Sequence, residues 1–270
     1  MTFRRLLALA PSLAVALAAT PATAGLLIVQ TNTTPGAATT TTKMYLTPEA
    51  ARITTGPHSL IYRKDQNVAW MVQGDSFMTL DKGSARAVGK QVDSQMAAME
   101  DTMAEALAKV PADKRAMVEE MMRQQGVGKP GAMGAPPAAP ARPSGPFKAG
   151  PTGQSVGKWT CDVYERGGAV GERVCATELD ELGITRADLQ IMFDAAKYFR
   201  EISSEFGQPA QAIPMADEKP GYPGYPVNRK EIRGGTVSHE SQLVEVTRQD
   251  FDPALFARPN LKERTFGPMP

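Results

Sequence analysis

Methionine sulfur is the most abundant soft ligand in this sequence, because methionines recur at helical spacing within one stretch. Met96, Met99 and Met103 are three and four residues apart, and Met117 and Met121 repeat the four-residue step. This spacing places side chains on one face of a helix. Thioethers fill irregular gaps in a core, form adaptable apolar surfaces, or bind Cu(I). Because no His or Cys adjoins them, packing is the simplest interpretation, and we predict no metal and no other cofactor. Apolar binding and Cu(I) binding stay as alternatives.

The chain has two cysteines, Cys161 and Cys175. The stretch between them predicts a β-hairpin that turns near Gly167 and Gly168, which would bring the two sulfurs across from each other. A disulfide here would stabilise the fold by about 3 kcal/mol in the chain-entropy model. Redox chemistry is the alternative, but it usually needs Cys-x-x-Cys or a helix start that stabilises the thiolate. We therefore predict a structural disulfide formed in an oxidising compartment.

Catalytic chemistry has few candidate residues. The two histidines, His58 and His239, are far apart in the chain and lie in or beside predicted strands. An isolated histidine is more often a solvated or hydrogen-bonded side chain than a general base. Neither a Gly-x-Ser-x-Gly elbow nor a His-Glu-x-x-His helix occurs. We predict that the protein is not an enzyme and that it has no catalytic residue.

The first 24 residues have the three parts of a secretory signal peptide. Arg4 and Arg5 are followed by an apolar stretch from Leu6 to Ala19, and residues 22–24 are Ala-Thr-Ala, a small-x-small cleavage site. A membrane anchor is the alternative, but it needs about 20 uninterrupted apolar residues. We predict cleavage after residue 24 and a periplasmic or secreted protein with no transmembrane segment in the mature chain. The paired arginines leave Sec and Tat export open.

The charge balance excludes one class of partner. Removing Arg4 and Arg5 lowers Lys+Arg from 30 to 28 against 29 Asp+Glu, a net charge of −1. A nearly neutral chain has no field with which to hold nucleic acid by charge alone. We therefore expect no nucleic-acid partner.

Short apolar runs punctuated by turn residues predict an antiparallel meander in the first third of the mature chain. A second hairpin is expected near the end, turning at Gly234 and Gly235. The predicted strands are 25–34, 43–47, 51–55, 58–64, 68–73, 77–81, 227–233 and 236–247.

Helical periodicity begins at Val92, where apolar residues recur every three or four positions. Together with the methionines after Pro111, it predicts a helical hairpin inserted at residues 86–125. Residues 126–153 are rich in proline and glycine, which predicts a flexible linker. Thr185 and Asp188 predict a capped helix start, followed by a helix to about Ser203 with one apolar face.

These elements predict an α+β fold in which a curved antiparallel sheet or incomplete β barrel carries the helical hairpin and a further helix. The mature chain, 25–270, is then one domain. At this level the chain resembles an uncharacterised family of exported bacterial proteins associated with the LolA/LolB lipoprotein-carrier superfamily. Three short pieces carry the resemblance: Leu60-Ile61-Tyr62 through Trp70 to Phe77; Cys161-x-x-Tyr164 with Cys175-Ala176 and Leu182-Gly183-Ile184; and Pro226-Val227 with Phe256-x-x-Pro259.

The superfamily resemblance implies a half-barrel whose concave apolar face, closed by helices, holds an acyl chain. Trp70 and Phe77 are expected to line this groove from the central strands, with the methionine-bearing helices as its lid. The Met-rich hairpin and the Pro/Gly linker are not LolA features. Our hypothesis is a periplasmic, non-enzymatic protein that binds a lipid or another apolar ligand. The alternatives are a structural or chaperone-like module that binds proteins through the helical hairpin, and a Cu(I)-handling protein.

Overall fold

A computed structural model describes residues 23–109, 111, 114, 143, 145–168, 170–205 and 220–264. Most of the predicted signal peptide, the second helix of the predicted hairpin and the first part of the predicted linker lie outside these residues.

The described residues form thirteen strands and two α-helices. The helices are α1, Lys82–Ala108, and α2, Arg186–Glu205. Two short 3₁₀ turns, Asp180–Leu182 and Pro253–Phe256, precede α2 and follow β12. The strands are β1 Thr23–Thr33, β2 Thr40–Leu46, β3 Ala50–Thr55, β4 His58–Arg63, β5 Val68–Gln73, β6 Ser76–Leu80, β7 Lys148–Ala149, β8 Gln154–Val156, β9 Trp159–Arg166, β10 Val170–Thr177, β11 Tyr225–Arg233, β12 Thr236–Phe251 and β13 Lys262–Glu263.

One large sheet joins these strands in the order β13-β6-β5-β4-β3-β2-β1-β12-β11-β10-β9-β7, and β8 pairs with β9. Neighbours are antiparallel except β13, which runs parallel to β6. The sheet is not closed. The predicted α+β class and the antiparallel sheet are therefore confirmed. In the middle of the sheet, β1 pairs with β2 on one side and with β12 on the other.

The main core lies between one face of the sheet and α2. Alternation along the strands directs every second side chain to this face, among them Leu26, Ile28, Met44 and Leu46. The helix is held at its start by the predicted capping pair, since the Thr185 amide and hydroxyl donate to Asp188 Oδ2 at 2.7 and 2.8 Å. The apolar face of α2 packs against the sheet through Leu189, Met192, Ala195, Tyr198, Phe199 and Ile202.

Helix α1 begins four residues before the predicted insertion and ten before its apolar repeat. Asp81 starts it, because its Oδ1 accepts the Ser84 amide at 2.7 Å. The first turns are mostly polar, with Ala85 as their buried core residue, and therefore show no apolar periodicity. They are attached to α2 by ion pairs, among them Lys82–Glu201 at 2.7 Å. Beyond Lys90 every side chain of α1 that the structure describes is exposed.

The predicted disulfide is confirmed. Cys161 and Cys175 are bonded, with their Cα atoms 5.4 Å apart. The hairpin register differs slightly from the predicted one, since Cys175 lies opposite Val163 and the bond therefore runs diagonally between β9 and β10. Residues at the end of the predicted linker are also ordered against this hairpin. The Gly150 amide donates to the Val163 carbonyl at 2.8 Å, and β7 pairs with β9.

The C-terminal segment crosses the face of the sheet opposite α2. Phe251 and Phe256 are buried there with Ala50, and their rings meet edge to face at 6.0 Å. Arg52 and Arg63 donate from the sheet to the carbonyls of Leu255 and Phe256 at 3.0 and 3.4 Å. Part of the second sheet face is thereby covered by the chain's own end.

Candidate functional site

A cleft lies where the start of α2 meets the sheet, and it is larger than a second cleft beside the disulfide. Its volume is about 450 Å³, and it is open to solvent. This volume lies within the range of small-molecule pockets. Its walls come from β1, the turn after β2, the first turn of α2 and the end of β12. The lining residues are Ala24, Gly25, Leu26, Leu46, Thr47, Pro48, Ala187, Asp188, Arg248, Gln249 and Asp250.

An ion pair forms the charged wall of this cleft. Arg248 Nη1 and Nη2 donate to Asp188 Oδ1 and Oδ2 at 2.9 and 2.6 Å. Hydrogen bonding to the guanidinium lowers the pKa of Asp188 from 3.8 to about 2, and the Thr185 donors add to the effect. The Asp188 carboxylate is therefore ionised and paired with Arg248 at neutral pH, which makes it a poor general base.

The apolar side of the cleft is close-packed. Leu26 and Leu46 are almost completely buried beneath it. On the other face of the sheet, a Cβ on Gly25 would stand 2.4 Å from the Leu46 carbonyl and 2.6 Å from the Phe251 ring, so only glycine fits there. The surface open to a ligand is therefore mixed, with polar walls at Thr47, Gln249 and Asp250 beside the Arg248–Asp188 pair, which suits a small amphipathic molecule.

A second, smaller cleft of about 100 Å³ lies beside the disulfide. Two of its carboxylates already have partners. Asp162 accepts the Gly153 amide at 3.0 Å, and Glu181 accepts the Thr177 hydroxyl at 2.6 Å. Desolvation, followed by nearby carboxylates, raises the pKa of the Tyr164 hydroxyl that lines it. We find no reacting pair in this cleft.

Trp70 and Phe77 come together with Ile61 in a buried cluster, apart from both clefts. Trp70 alternates with Ala69, which belongs to the main core, so this cluster lies on the face opposite α2. The two aromatic residues are 4% and 2% exposed, respectively. Their assignment as ligand-binding residues stays a prediction, and in this structure the C-terminal segment lies on their face.

The predicted methionine site is described only in part. Met96, Met99 and Met103 all lie on α1, and Met99 is 53% exposed. The side chains of Met96 and Met103 are not described, and Met117 and Met121 lie outside the described residues. The packing, apolar-binding and Cu(I) interpretations therefore stay predictions.

The histidines and carboxylates do not gather into a metal centre in the described part of the chain. His239 Nδ1 lies 3.3 Å from the Thr34 hydroxyl at an exposed position. No helix among the described residues has the length and apolarity to cross a membrane.

Of the ion pair in the larger cleft, the sequence singled out Asp188 but not Arg248. Asp188 was identified only as a helix cap. Arg248 lies in the last five residues of β12, whose end the sequence pattern did not capture. Asp188 and Arg248 are far apart in the sequence. They come together because β12 pairs with β1 at the centre of the sheet and so reaches the start of α2.

A comparison with models of protein families finds no match, and a comparison with curated proteins finds none either. Among solved structures, that of PNGF-II matches with a TM-score of 0.34 and 9% sequence identity. The match covers 90% of this chain and 31% of that chain. A likeness this low carries no argument about fold or function.

Proposed function

We propose that this chain is an exported, non-enzymatic binding protein that holds a small amphipathic ligand, such as an acyl chain with a polar head, in the larger cleft. The observation that carries the proposal is the cleft itself, with about 450 Å³ of volume, a mixed polar and apolar lining and the Arg248–Asp188 pair in its wall. The proposal keeps the relation to the LolA/LolB carriers as a hypothesis. It places the binding site away from Trp70 and Phe77, because neither residue lines this cleft.

Two features support a binding role over catalysis. Asp188 and Arg248 are paired with each other, so this carboxylate is not a free base near neutral pH, and Asp250 is a further carboxylate of the lining. The disulfide and the predicted signal peptide agree with an oxidising, exported compartment. An extracytoplasmic carrier needs a stable container for its ligand, and a cross-linked sheet provides one.

The test is equilibrium binding of a fluorescently labelled medium-chain fatty acid to residues 25–270, the predicted mature chain, which keeps every lining residue except Ala24. Ala187→Trp fills the mouth of the cleft from an exposed position on α2. We expect it to weaken binding about tenfold or more, equivalent to about 1.4 kcal/mol. Ala97→Trp, on the exposed part of α1, is the matched control and should bind like the wild type. Unchanged binding in Ala187→Trp would reject the cleft as the binding site. Wild-type protein that binds no acyl probe would reject the proposed binding function.

A second candidate function rests on α1. This helix continues for 27 residues, and its described side chains beyond Lys90 are exposed, including Met99. An adaptable methionine surface on an exposed helix suits a protein partner. Photo-crosslinking from position 99 in periplasm should give one dominant adduct if this candidate is correct. Crosslinking from Thr236, at an exposed turn, is the control, and the same adducts from both positions would reject the candidate.

A further inference from the structure

The buried cluster of Ile61, Trp70 and Phe77 needs a cover, because it lies on the sheet face away from α2. All three side chains are at most 4% exposed. The chain's own C-terminal end reaches this face: Arg258 lies over the Phe77 ring, and Glu263 accepts the hydroxyl of Thr79, the residue opposite Trp70. The contacts of this segment therefore govern access to the cluster.

The first part of the C-terminal segment, residues 251–256, is firmly attached. Phe251 and Phe256 are buried, and Phe251 also meets Tyr45 edge to face at 5.6 Å. The Asp252 carboxylate accepts the Ala254 amide at 2.9 Å and so caps the short 3₁₀ turn. Buried aromatic rings and satisfied backbone groups make this part an anchor.

The second part, residues 257–264, is held mainly at the surface. Except for half-buried Pro259, its residues are exposed. Arg258 lies 5.5 Å from the Phe77 ring centre and pairs with Glu263 at 2.5 Å. Glu263 also accepts the Thr79 hydroxyl at 2.5 Å, and the Arg264 amide donates to the Phe77 carbonyl at 2.8 Å. Exposed ion pairs of this kind contribute little to stability and are screened by salt.

Residues 257–264 are mostly polar, whereas the cluster of Ile61, Trp70 and Phe77 is apolar. Their one large apolar side chain, Leu261, is 43% exposed, and the residue that lies over Phe77 is an arginine. An apolar aromatic cluster thus lies beneath a polar, weakly attached piece of chain that follows a firm anchor.

We infer that residues 257–264 form a strap that opens reversibly about the 251–256 anchor and exposes the Trp70–Phe77 face, with the closed state being the one described. The Arg258–Glu263 pair and the short β13–β6 pairing hold the strap closed. Opening uncovers an indole and a phenyl ring that are otherwise shielded from water. This device is independent of the proposed cleft, which lies at the start of α2.

The test uses the full chain with Trp159→Phe, so that Trp70 is the remaining tryptophan. Acrylamide quenching of Trp70 is measured in this background and after adding Glu263→Ala, which removes the partner of both Arg258 and Thr79. Raising NaCl to about 1 M shortens the screening length to about 3 Å and tests the same contacts without a mutation. We expect the quenching constant to rise about twofold or more in either case, with far-UV circular dichroism unchanged.

Glu231→Ala is the matched control, since it removes a similarly exposed ion pair with Arg233 on β11. It should leave quenching of Trp70 unchanged. Hydrogen exchange gives a second readout in the unmutated chain: amides of residues 262–264 should exchange much faster than those of Phe251 and Phe256. Unchanged quenching in Glu263→Ala together with equal protection of the two parts would overturn the strap.

Discussion

Asp188 in the first turn of α2 and Arg248 near the end of β12 form a two-point ion pair, with N–O distances of 2.9 and 2.6 Å. The same carboxylate caps the helix by accepting from Thr185. One side chain thus fixes the start of the helix, its position on the sheet and the charged wall of the larger cleft. A change at Asp188 should therefore affect both stability and the cleft.

Asp188→Asn should destabilise the fold in a pH-dependent way. The carboxyl pKa falls from 3.8 to about 2 in the folded state, so its contribution is fully present above about pH 4 and is lost as the pH falls through about 2. Because water screens the half-exposed guanidinium, we expect a loss of about 1 kcal/mol at pH 7. Urea unfolding at pH 7 and pH 2.5 measures this loss as the free energy of unfolding of the variant relative to the wild type. An equal loss at both pH values would contradict a stabilising role for the ionised Asp188 carboxylate.

Glu172→Gln should be more costly, because Glu172 on β10 is a buried carboxylate between two arginines. It pairs with Arg166 and Arg229 at 2.5 Å each. Neutralising it leaves two guanidinium groups without their anion, and we expect a loss of about 2 kcal/mol. Glu165→Gln, which weakens an exposed pair with Arg173 on the neighbouring strand, is the control and should change the free energy of unfolding by less than about 1 kcal/mol. Similar losses in both variants would show that burial of Glu172 contributes nothing.

Replacing Cys161 and Cys175 together by serine should lower the free energy of unfolding by about 3 kcal/mol, in line with the length of the loop that the disulfide closes. Both residues are buried. Mild reductant should consequently leave the native protein oxidised and act only once unfolding begins. Thermal unfolding with and without a phosphine reductant, combined with thiol counting, measures both effects. Rapid reduction of the folded protein would contradict this expectation.

Gly224→Ala should be severely destabilising because two requirements coincide at this position. The backbone has φ +75°, and a Cβ would stand 2.0 Å from the Thr177 carbonyl. We expect a loss of at least about 3 kcal/mol or failure to fold. Gly234 also has a positive φ but has open space around it. Gly234→Ala therefore isolates backbone strain and should lower the free energy of unfolding by about 1 kcal/mol. Equal effects of the two substitutions on the thermal midpoint would remove the steric argument.

Sequence patterns located the strands and the helix whose ends are marked by residues next to them in the chain. The strands predicted at 58–64, 68–73 and 77–81 agree closely with β4, β5 and β6, because turn residues separate them clearly. The helix after Thr185 agrees with α2 because its cap and its apolar face coincide. The predicted start of α1 is too late, since the residues after Asp81 are mostly polar and contact α2 partly through ion pairs, with Ala85 as their buried core residue.

Long-range pairing accounts for what sequence patterns could not supply. Nothing in the residues around Gly25 indicates that they pair with Arg248 and Gln249, yet this pairing builds the cleft. The approach of the C-terminal segment to Phe77 and Thr79 is equally non-local. An apolar residue in a strand predicts burial on one face or the other, but it does not say which part of the chain will cover that face.

The central position of β1 has a consequence for how the chain folds. Strands β2 to β6 are joined by short turns and can pair soon after they are synthesised. By contrast, β1 of the predicted mature chain must close a loop from Gly25 to Gln249 to complete its other edge. Such closure is entropically costly and slows folding. We therefore expect a late, rate-limiting docking of β12 onto β1, before which the two halves of the sheet are separate folding intermediates that expose the edge of β1.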